Sequence, residues 1–425
     1  MASLTEIRNK LSQIVKNKEI RDKVLFSLMI LVVFRFMASV PVPGLPENAL
    51  TRFFGDSGFG EVLTLVSGGV LENATIVAIG LGPYINASII FQLLGSVIPK
   101  IEELQKEGEQ GRRVISMYTR LLSVPLSVLQ SFVIYSVLQQ YGIMDKLVGW
   151  DLVNLIATLS SGAVIMMWMG ELISDMGVGN GSSFLIMAGI LAGIPGSLKT
   201  NLDIVDSRSN WILLFASLIL VLVIVIVNVA ERKVKIQYAR RVRSTGASAE
   251  SFIPLKINQS GVMPVIFALS MLSFPQLIGK LLVGDKIPEF IKNTSNWLVT
   301  QLNEPTIYNA MLAVMIIFFS IFYTFVVFNP VNIAENLQKQ GAFIPGIRPG
   351  KETERYISKA ALRLSIFGSV FLAVIAILPT IAQNLGLISS SIISGTGLLI
   401  VIGVLLDSKR QIESLIVTRS YESYL

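Results

Sequence analysis

Side chains that ordinarily make or break bonds are scarce in this chain. It contains no Cys and no His. That removes thiol nucleophiles, disulfides, and imidazole acid–base or metal chemistry. No pair of buried carboxylates is expected, and no ordered series of Asp or Glu crosses the apolar runs, as proton- or sodium-coupled pumping would require. There is no phosphate-binding loop of the GxxxxGK[ST] kind. What does recur at helical spacing is aliphatic. Leu81, Ile85 and Ile89 stand at i, i+4 and i+8, as do Ile186, Ile190 and Ile194, so each set lies on one helical face. By spacing alone, such a face is lipid-facing or helix-packing surface. The polar residues expected in apolar runs are few. Asn86, Gln92 and Gln130 would face other helices, where an interhelical hydrogen bond contributes about 0.6 kcal/mol. Arg35 stands near the end of its run, where it can snorkel.

The elements that carry these residues are set by composition. The chain has 425 residues, 52% hydrophobic and only 15% charged, against about 25% charged in a soluble domain. A spanning helix needs about 20 mostly apolar residues. Ten such runs are expected, near 24–40, 74–98, 114–138, 152–169, 182–198, 211–230, 260–283, 308–328, 360–382 and 387–406. The first, Val24 to Val40, is long for a signal-peptide core and reads as a retained span. Lys and Arg test this topology through the positive-inside rule. With the N-terminus inside, only Arg52, Lys146, Lys199, Arg208, Lys280, Lys286 and Lys292 fall in outside loops. Arg35, Arg120, Lys359 and Arg363 lie within the runs, and the rest of the 35 lie inside. The net charge of +7 therefore reflects topology and anionic lipid rather than nucleic acid in the first place. Both termini are placed in the cytoplasm.

Ten spans divide as five plus five, near 1–205 and 206–425, with the joint at 199–210. An odd number per half inverts the second half, and a functional site is expected between inverted halves. The stretch Phe59 to Leu71 is apolar but too short to span. It is either a re-entrant segment in a cavity or an interfacial helix. Ser67-Gly68-Gly69 ends it, and Asn73 can cap a helix starting at Ala74. Two inside loops are long. One, near 231–258, is dense in Arg and Lys. The other, near 329–358, contains GAFIPGIRPG at 341–350, whose Pro and Gly give a stiff, shaped loop. Basic shaped loops of this length suit an acidic or RNA-containing partner.

These residues resemble a known family nearly end to end. The stretches are FRFMASVPVPG at 34–44, SGG at 67–69, LGPYINASIIFQLL at 81–94, KEGEQGRR at 106–113 and GNGSS at 179–183. They continue with AGILAGIPG at 188–196, QYARR at 237–241, GVMPVIFA at 261–268, NP at 329–330, GAFIPGIRPG at 341–350 and SYES at 420–423. In number and order they are similar to the SecY family, the pore subunits of bacterial Sec protein-translocation channels. The resemblance implies an all-α membrane protein of ten helices in two inverted halves around a pore, located in the bacterial inner membrane. It implies a short plug at Val62, Leu63, Leu65, Val66, Ser67, Gly68 and Gly69, and a pore ring at Leu81, Ile85, Ile186, Ile190, Ile266 and Ile400. It further implies a lateral gate at Asn86, Ile89, Gln130, Ser270 and Phe274, walled by the second and third spans on one side and the seventh and eighth on the other. Docking of the motor ATPase SecA and the ribosome is implied at Arg240, Arg241, Arg243, Arg348 and Lys351. Leu81 stands where isoleucine is common, and Asn86 where serine is.

The implied function is physically coherent. A ring of branched aliphatic side chains makes no fixed hydrogen bond with a passing chain, and a narrow apolar constriction dewets and blocks ions. A sideways gate would let an apolar signal helix partition into lipid at about 0.8 kcal/mol per buried CH₂, while a polar chain stays in the pore. Implied partners are SecE and SecG subunits, SecA, the ribosome and its rRNA, signal peptides, nascent chains and membrane lipid. No cofactor, metal or catalytic residue is expected. The rival readings are a five-plus-five secondary transporter, which needs a polar midplane site, and an intramembrane protease, which needs a catalytic constellation.

Overall fold

The computed structural model describes residues 17–43, 45, 74–95, 97–140, 142, 144–204, 207–238, 251–281, 288–384 and 395–422. Its helices are α1 (Lys18–Met37), α2 (Gly82–Leu94), α3 (Pro99–Lys106), α4 (Glu109–Gln140), α5 (Trp150–Met176), α6 (Gly181–Ile204) and α7 (Ser207–Val229). Strands β1 (Glu231–Tyr238) and β2 (Ser251–Lys256) follow. Then come α8 (Met263–Leu281), α9 (Glu289–Asn303), α10 (Pro305–Val327), α11 (Pro330–Lys339), β3 (Ala342–Phe343), α12 (Lys351–Asn384) and α13 (Gly395–Glu422).

Each of the ten apolar runs overlaps a helix among the described residues. Among the described residues, four helical stretches are long and apolar enough to cross a membrane: Glu109–Gln139, Trp150–Met176, Pro305–Lys339 and Lys351–Ile381. The pair Gly82–Leu94 and Pro99–Gln105 passes together but is bent by 106°. Large apolar side chains are turned outward. Examples are Val32 and Phe36 on α1, Leu218, Ile219 and Leu222 on α7, and Phe367 and Val374 on α12. Surfaces this apolar need lipid or a partner helix as their solvent.

The helix starts have local causes. Asn17 caps α1 by accepting from the Glu19 amide at 3.2 Å, and Asn329 caps α11 by accepting from Val331 and Asn332. Pro83, Pro99 and Pro330 occupy first-turn positions, where the missing amide costs nothing.

The second apolar run departs from its expectation. A helix was expected from Ala74, but 74–81 is a series of turns and α2 begins at Gly82. Ala74 and Gly80 have positive φ, 48° and 62°, which a helix excludes. The turns pair instead with the preceding segment. The Val42 amide donates to the Ala74 carbonyl (2.9 Å), and the Ile76 amide to the Val40 carbonyl (3.0 Å). Four elements were not read from the sequence: α3, α9, α11 and the sheet.

Contacts divide the chain into two compact units. The first comprises Met1–Lys199, Leu269–Tyr308 and Val404–Leu425. In it α2 and α5 pack on α4, α3 lies on α4, and α1 packs on α5. A core of Val42, Ala78, Ile134, Leu138, Leu155 and Leu159 forms beside the turns. Small residues permit close approach. A Cβ at Gly162 on α5 would fall on the carbonyl oxygen of Ile76. Ser131 on α4 and Ser160 on α5 share a buried hydrogen bond of 3.0 Å.

The second unit comprises Thr200–Ala268 and Asn309–Gly403. It holds an antiparallel sheet in the order β2-β1-β3. In β1, Val234 and Ile236 are buried while Lys233, Lys235 and Gln237 are exposed, a half-buried strand of period two. The buried face joins Leu255, Leu337, Ala342, Ile344, Ile357 and Ala360 in one cluster with α11 and α12. Deeper, Phe267 on α8 meets Phe319 and Tyr323 of α10 edge-on, at 6.1 and 5.7 Å between centroids.

The close approach at Gly162 generates an expectation. Gly162→Val overpacks the turn and costs about 1–3 kcal/mol, lowering the melting temperature in detergent. Val153→Ala, at an exposed position on the same helix, should leave it unchanged.

Candidate functional site

The six ring positions are carried by four helices and the turn before α2. Leu81, immediately before α2, and Ile85, on it, are 1% and 5% exposed; Ile186 and Ile190 on α6 are 2% and 9%. In the second unit Ile266 on α8 is 2% exposed and Ile400 on α13 is 1%. Leu81 occupies the N-cap position, and Gly80, at φ 62°, and Pro83, in the first turn, set where the helix starts. Ile194, the third member of its spacing set, is half-buried.

The second and third apolar runs, α2 and α4, lie side by side. Phe91 and Tyr118 stack across them at 6.2 Å with their planes 19° apart. On this wall Ile89 and Gln130 are buried and Asn86 is half-buried. Gln92 donates from Nε2 to Ser88 Oγ at 3.0 Å, but its Oε1 is buried without a partner among the described residues. On α8, Ser270 is 1% exposed and its Oγ has no hydrogen-bond partner among the described residues. A buried hydroxyl left unpaired costs about 1–3 kcal/mol. Phe274 lies on the same helix, and its side chain is outside the described residues.

The loop at 341–350 is built around its glycines. Gly341, Gly346 and Gly350 have φ of 65°, 81° and 95°, which only glycine adopts without strain. Gln237 and Tyr238 of β1 pair with Phe343 and Ala342. A turn closes where the Ile347 amide donates to the Ile344 carbonyl at 3.0 Å. Thr353 Oγ donates to the Arg348 carbonyl at 2.9 Å, fixing the backbone while the Arg348 side chain is exposed. Lys351, the first residue of α12, is also exposed. Arg240, Arg241 and Arg243 lie outside the described residues, as do the plug positions Val62, Leu63, Leu65, Val66, Ser67, Gly68 and Gly69.

One ionic contact was not foreseen. Arg120 on α4 donates from Nε to Glu171 Oε1 on α5 at 2.6 Å, with Ser116 Oγ 3.4 Å from the same oxygen. The Glu171 side chain is only 14% exposed. The two residues are 51 apart in sequence, beyond any local periodicity, and only the packing of α4 on α5 brings them together.

Buried aliphatic positions on bent and broken apolar helices, and outward-facing apolar side chains along them, define a polytopic helical membrane protein with the fold of protein-conducting channels. That fold is shared with a solved structure described as "The structure of a protein conducting channel", with a TM-score of 0.68, 19% identity and 97% of each chain covered. It is shared also with "Sec61 in the Canine ribosome-channel complex from the endoplasmic reticulum", with a TM-score of 0.61, 16% identity and 97% of each chain covered. More particularly, the chain belongs to the SecY family. The SecY family model matches residues 75–408. A curated relative, protein translocase subunit SecY 1 of Lactobacillus kefiranofaciens subsp. kefiranofaciens, is 38% identical over 426 residues, covering 96% of this chain and 98% of its own length.

The unpaired hydroxyl on α8 sets a measurable expectation. Ser270→Ala should leave the melting temperature unchanged or raise it, by an amount equivalent to about 1 kcal/mol. A clear fall would mean that Ser270 has a partner.

Proposed function

We propose that this chain is the pore-forming subunit of a protein-conducting channel that passes unfolded secretory polypeptides across the bacterial inner membrane and releases apolar helices sideways into the bilayer. The observation that carries the reading is family membership over nearly the whole chain, coupled with burial of all six ring positions to 9% exposure or less. In this reading the chain crosses the membrane ten times with both termini in the cytoplasm. Its halves are near 1–205 and 206–425, and Leu81, Ile85, Ile186, Ile190, Ile266 and Ile400 close around the passing chain. Segment 59–71 plugs the idle pore. Asn86, Ile89, Gln130, Ser270 and Phe274 belong to the lateral gate.

The chain acts by passage and partition, without a chemical step of its own, so the driving energy comes from a partner. Arg348 and Lys351, with Arg240, Arg241 and Arg243, form the face that receives SecA or the ribosome, and SecE and SecG complete the channel. The canine relative named above is recorded in a ribosome–channel complex, and the exposed cations on a shaped loop are the chemistry that an anionic partner requires. A secondary transporter is the weaker reading, because family membership points away from it.

Replacing both Ile190 and Ile400 with Gly removes branched apolar bulk from the proposed seal. Planar-bilayer recordings should then show a resting ion conductance at least several-fold above wild type, as a constriction that gates by dewetting predicts. A resting conductance equal to wild type would sink the seal. Arg348→Glu reverses an exposed charge without touching the core. SecA-driven transport into proteoliposomes should fall roughly tenfold or more, with a 1.4 kcal/mol loss already sufficient for that factor, while the melting temperature stays within a degree or two. Transport at the wild-type rate would remove Arg348 from the docking face.

A further inference from the structure

A chain of buried polar side chains runs through the second unit. Asn228 on α7 donates from Nδ2 to the Ile224 carbonyl at 3.0 Å. Its Oδ1 accepts from Asn258 Nδ2 at 2.9 Å. The same Asn258 nitrogen donates to the Gly261 carbonyl at 3.0 Å, while Asn258 Oδ1 accepts from Ser260 Oγ at 3.3 Å. Ser260 Oγ lies 3.2 Å from Ser320 Oγ on α10. On the next turn, Thr324 Oγ bonds to the Ser320 carbonyl at 2.7 Å and lies 2.8 Å from Ser365 Oγ on α12. All six side chains are 8% exposed or less.

Two features separate this chain from ordinary interhelical bonding. The first is where its centre lies. Asn258 and Ser260 belong to the short connection between β2 and α8, and they bind it to α7 and α10. The second is that the backbone of this connection is held as well. The Ile257 amide donates to the Ala230 carbonyl at 3.1 Å, closing the base of the hairpin. Gly368 on α12 is pressed so close that a Cβ there would sit 2.5 Å from the Ile257 carbonyl oxygen. Gly261, at φ 65°, makes the turn into α8, and Asn258 spans that turn. Six residues that would otherwise form a pliable joint are pinned by α7, α10 and α12 at once.

We propose that Asn258 is a positioning residue that, with Ser260, makes the β1–β2 hairpin and the first turn of α8 one rigid body. A force applied to the hairpin by a docked partner is then delivered to α8, which carries Ser270 and Phe274, instead of being absorbed in residues 257–262. This rests on the docking and gate readings above. The bonds suit the task physically. Each is modest alone, but among buried side chains a hydrogen-bonded network fixes one geometry, and rigid elements with polar links are what transmit displacement.

The test uses the complete channel in proteoliposomes with SecA, ATP and a secretory precursor. The chain has no native Cys, so spin labels can be placed uniquely on introduced cysteines. One pair, at the exposed positions Lys235 on β1 and Met271 on α8, reports the hairpin-to-helix distance. A second pair, Leu129 on α4 and Met271, reports gate movement. In Asn258→Ala the Lys235–Met271 distribution should broaden. SecA-driven transport should fall roughly tenfold, while SecA affinity stays within about twofold. Ser260→Ala should act in the same direction, and Ser260→Thr, which keeps the hydroxyl, should behave as wild type. The Ser260 variants keep the test decisive if Asn258→Ala folds poorly. Equal behaviour of Ser260→Ala and Ser260→Thr in both readouts overturns the proposal, as does a narrow distance distribution with unchanged transport in a folded Asn258→Ala. A Leu129–Met271 distance that stays fixed in a transporting wild-type channel overturns the gate reading alone, and the Ser260 variants then still support or overturn the rigid joint.

Discussion

In hydrocarbon, an unpaired backbone amide or carbonyl costs several kcal/mol, and no water is present to pair it. Nearly every feature of this chain follows from that constraint. The apolar runs become helices because a helix pairs its own backbone. Where a run departs from helix, the backbone is paired by other means and enclosed. The turns at 74–81 bond to residues 40–42, and Ala74, Thr75, Val77 and Ala78 are all at most 1% exposed. Gly162 matters for the same reason. Only a residue without a Cβ lets α5 come close enough to cover the Ile76 carbonyl. The sheet obeys the converse rule. It occurs where lysines alternate with buried valine and isoleucine, a pattern that presupposes water on one face.

How much of this was legible in the sequence depended on the length scale of the signal. Ten apolar runs were visible because twenty consecutive residues report one environment. Their ends were less visible. The helix expected from Ala74 begins at Gly82, because two positive-φ residues and a tertiary strand-like pairing override a favourable apolar composition. Helix α9 was invisible because it is short and mixed in character, and its buried side is settled by contacts such as Ser295 Oγ to the Gly279 carbonyl at 2.7 Å. The hairpin was obscured by its own charge. Val234 and Ile236 alternate correctly, but the density of Arg and Lys reads first as topology. At the candidate site, spacing placed Ile85 and Ile190 on helical faces, yet spacing could not distinguish a lined passage from a packed one. Only the family resemblance implies a passage there. The Arg120–Glu171 contact and the Asn228–Asn258 link lay beyond any local pattern.

The outer face of this protein is apolar like its core, and the core also holds a set of buried hydroxyls. Apolar side chains such as Phe36, Leu218 and Phe367 face outward, while Ser123, Ser127, Ser131, Ser320, Thr324 and Ser369 are buried. Most of these hydroxyls donate to a carbonyl three or four residues back in their own helix. They are therefore satisfied before they meet a neighbour, and can be turned to a second helix at little cost. Lipid is as apolar as leucine, so the hydrophobic effect contributes little to helix association. Close packing of small residues and modest hydrogen bonds, about 0.6 kcal/mol each on average, take its place. A channel that must part its helices and close them again is better served by many weak links than by one large apolar seam.

The same economy explains why recognition and passage are kept on different residues. The six proposed ring positions are aliphatic and buried and offer no hydrogen bond, which on that reading makes them indifferent to whatever chain passes. Specificity cannot reside there. It must reside where charge is exposed on a fixed backbone, and the loop around Arg348 meets that condition: three left-handed glycines and the Thr353 bond to the Arg348 carbonyl define the backbone, while the guanidinium stays in water. On the proposed function, a face that selects a partner and a passage that selects nothing must then be joined by something that does not yield. The connection between β2 and α8 is short, its Asn258 and Ser260 are buried and bonded to α7 and α10, and on the proposed reading a flexible joint at that point would separate the two tasks.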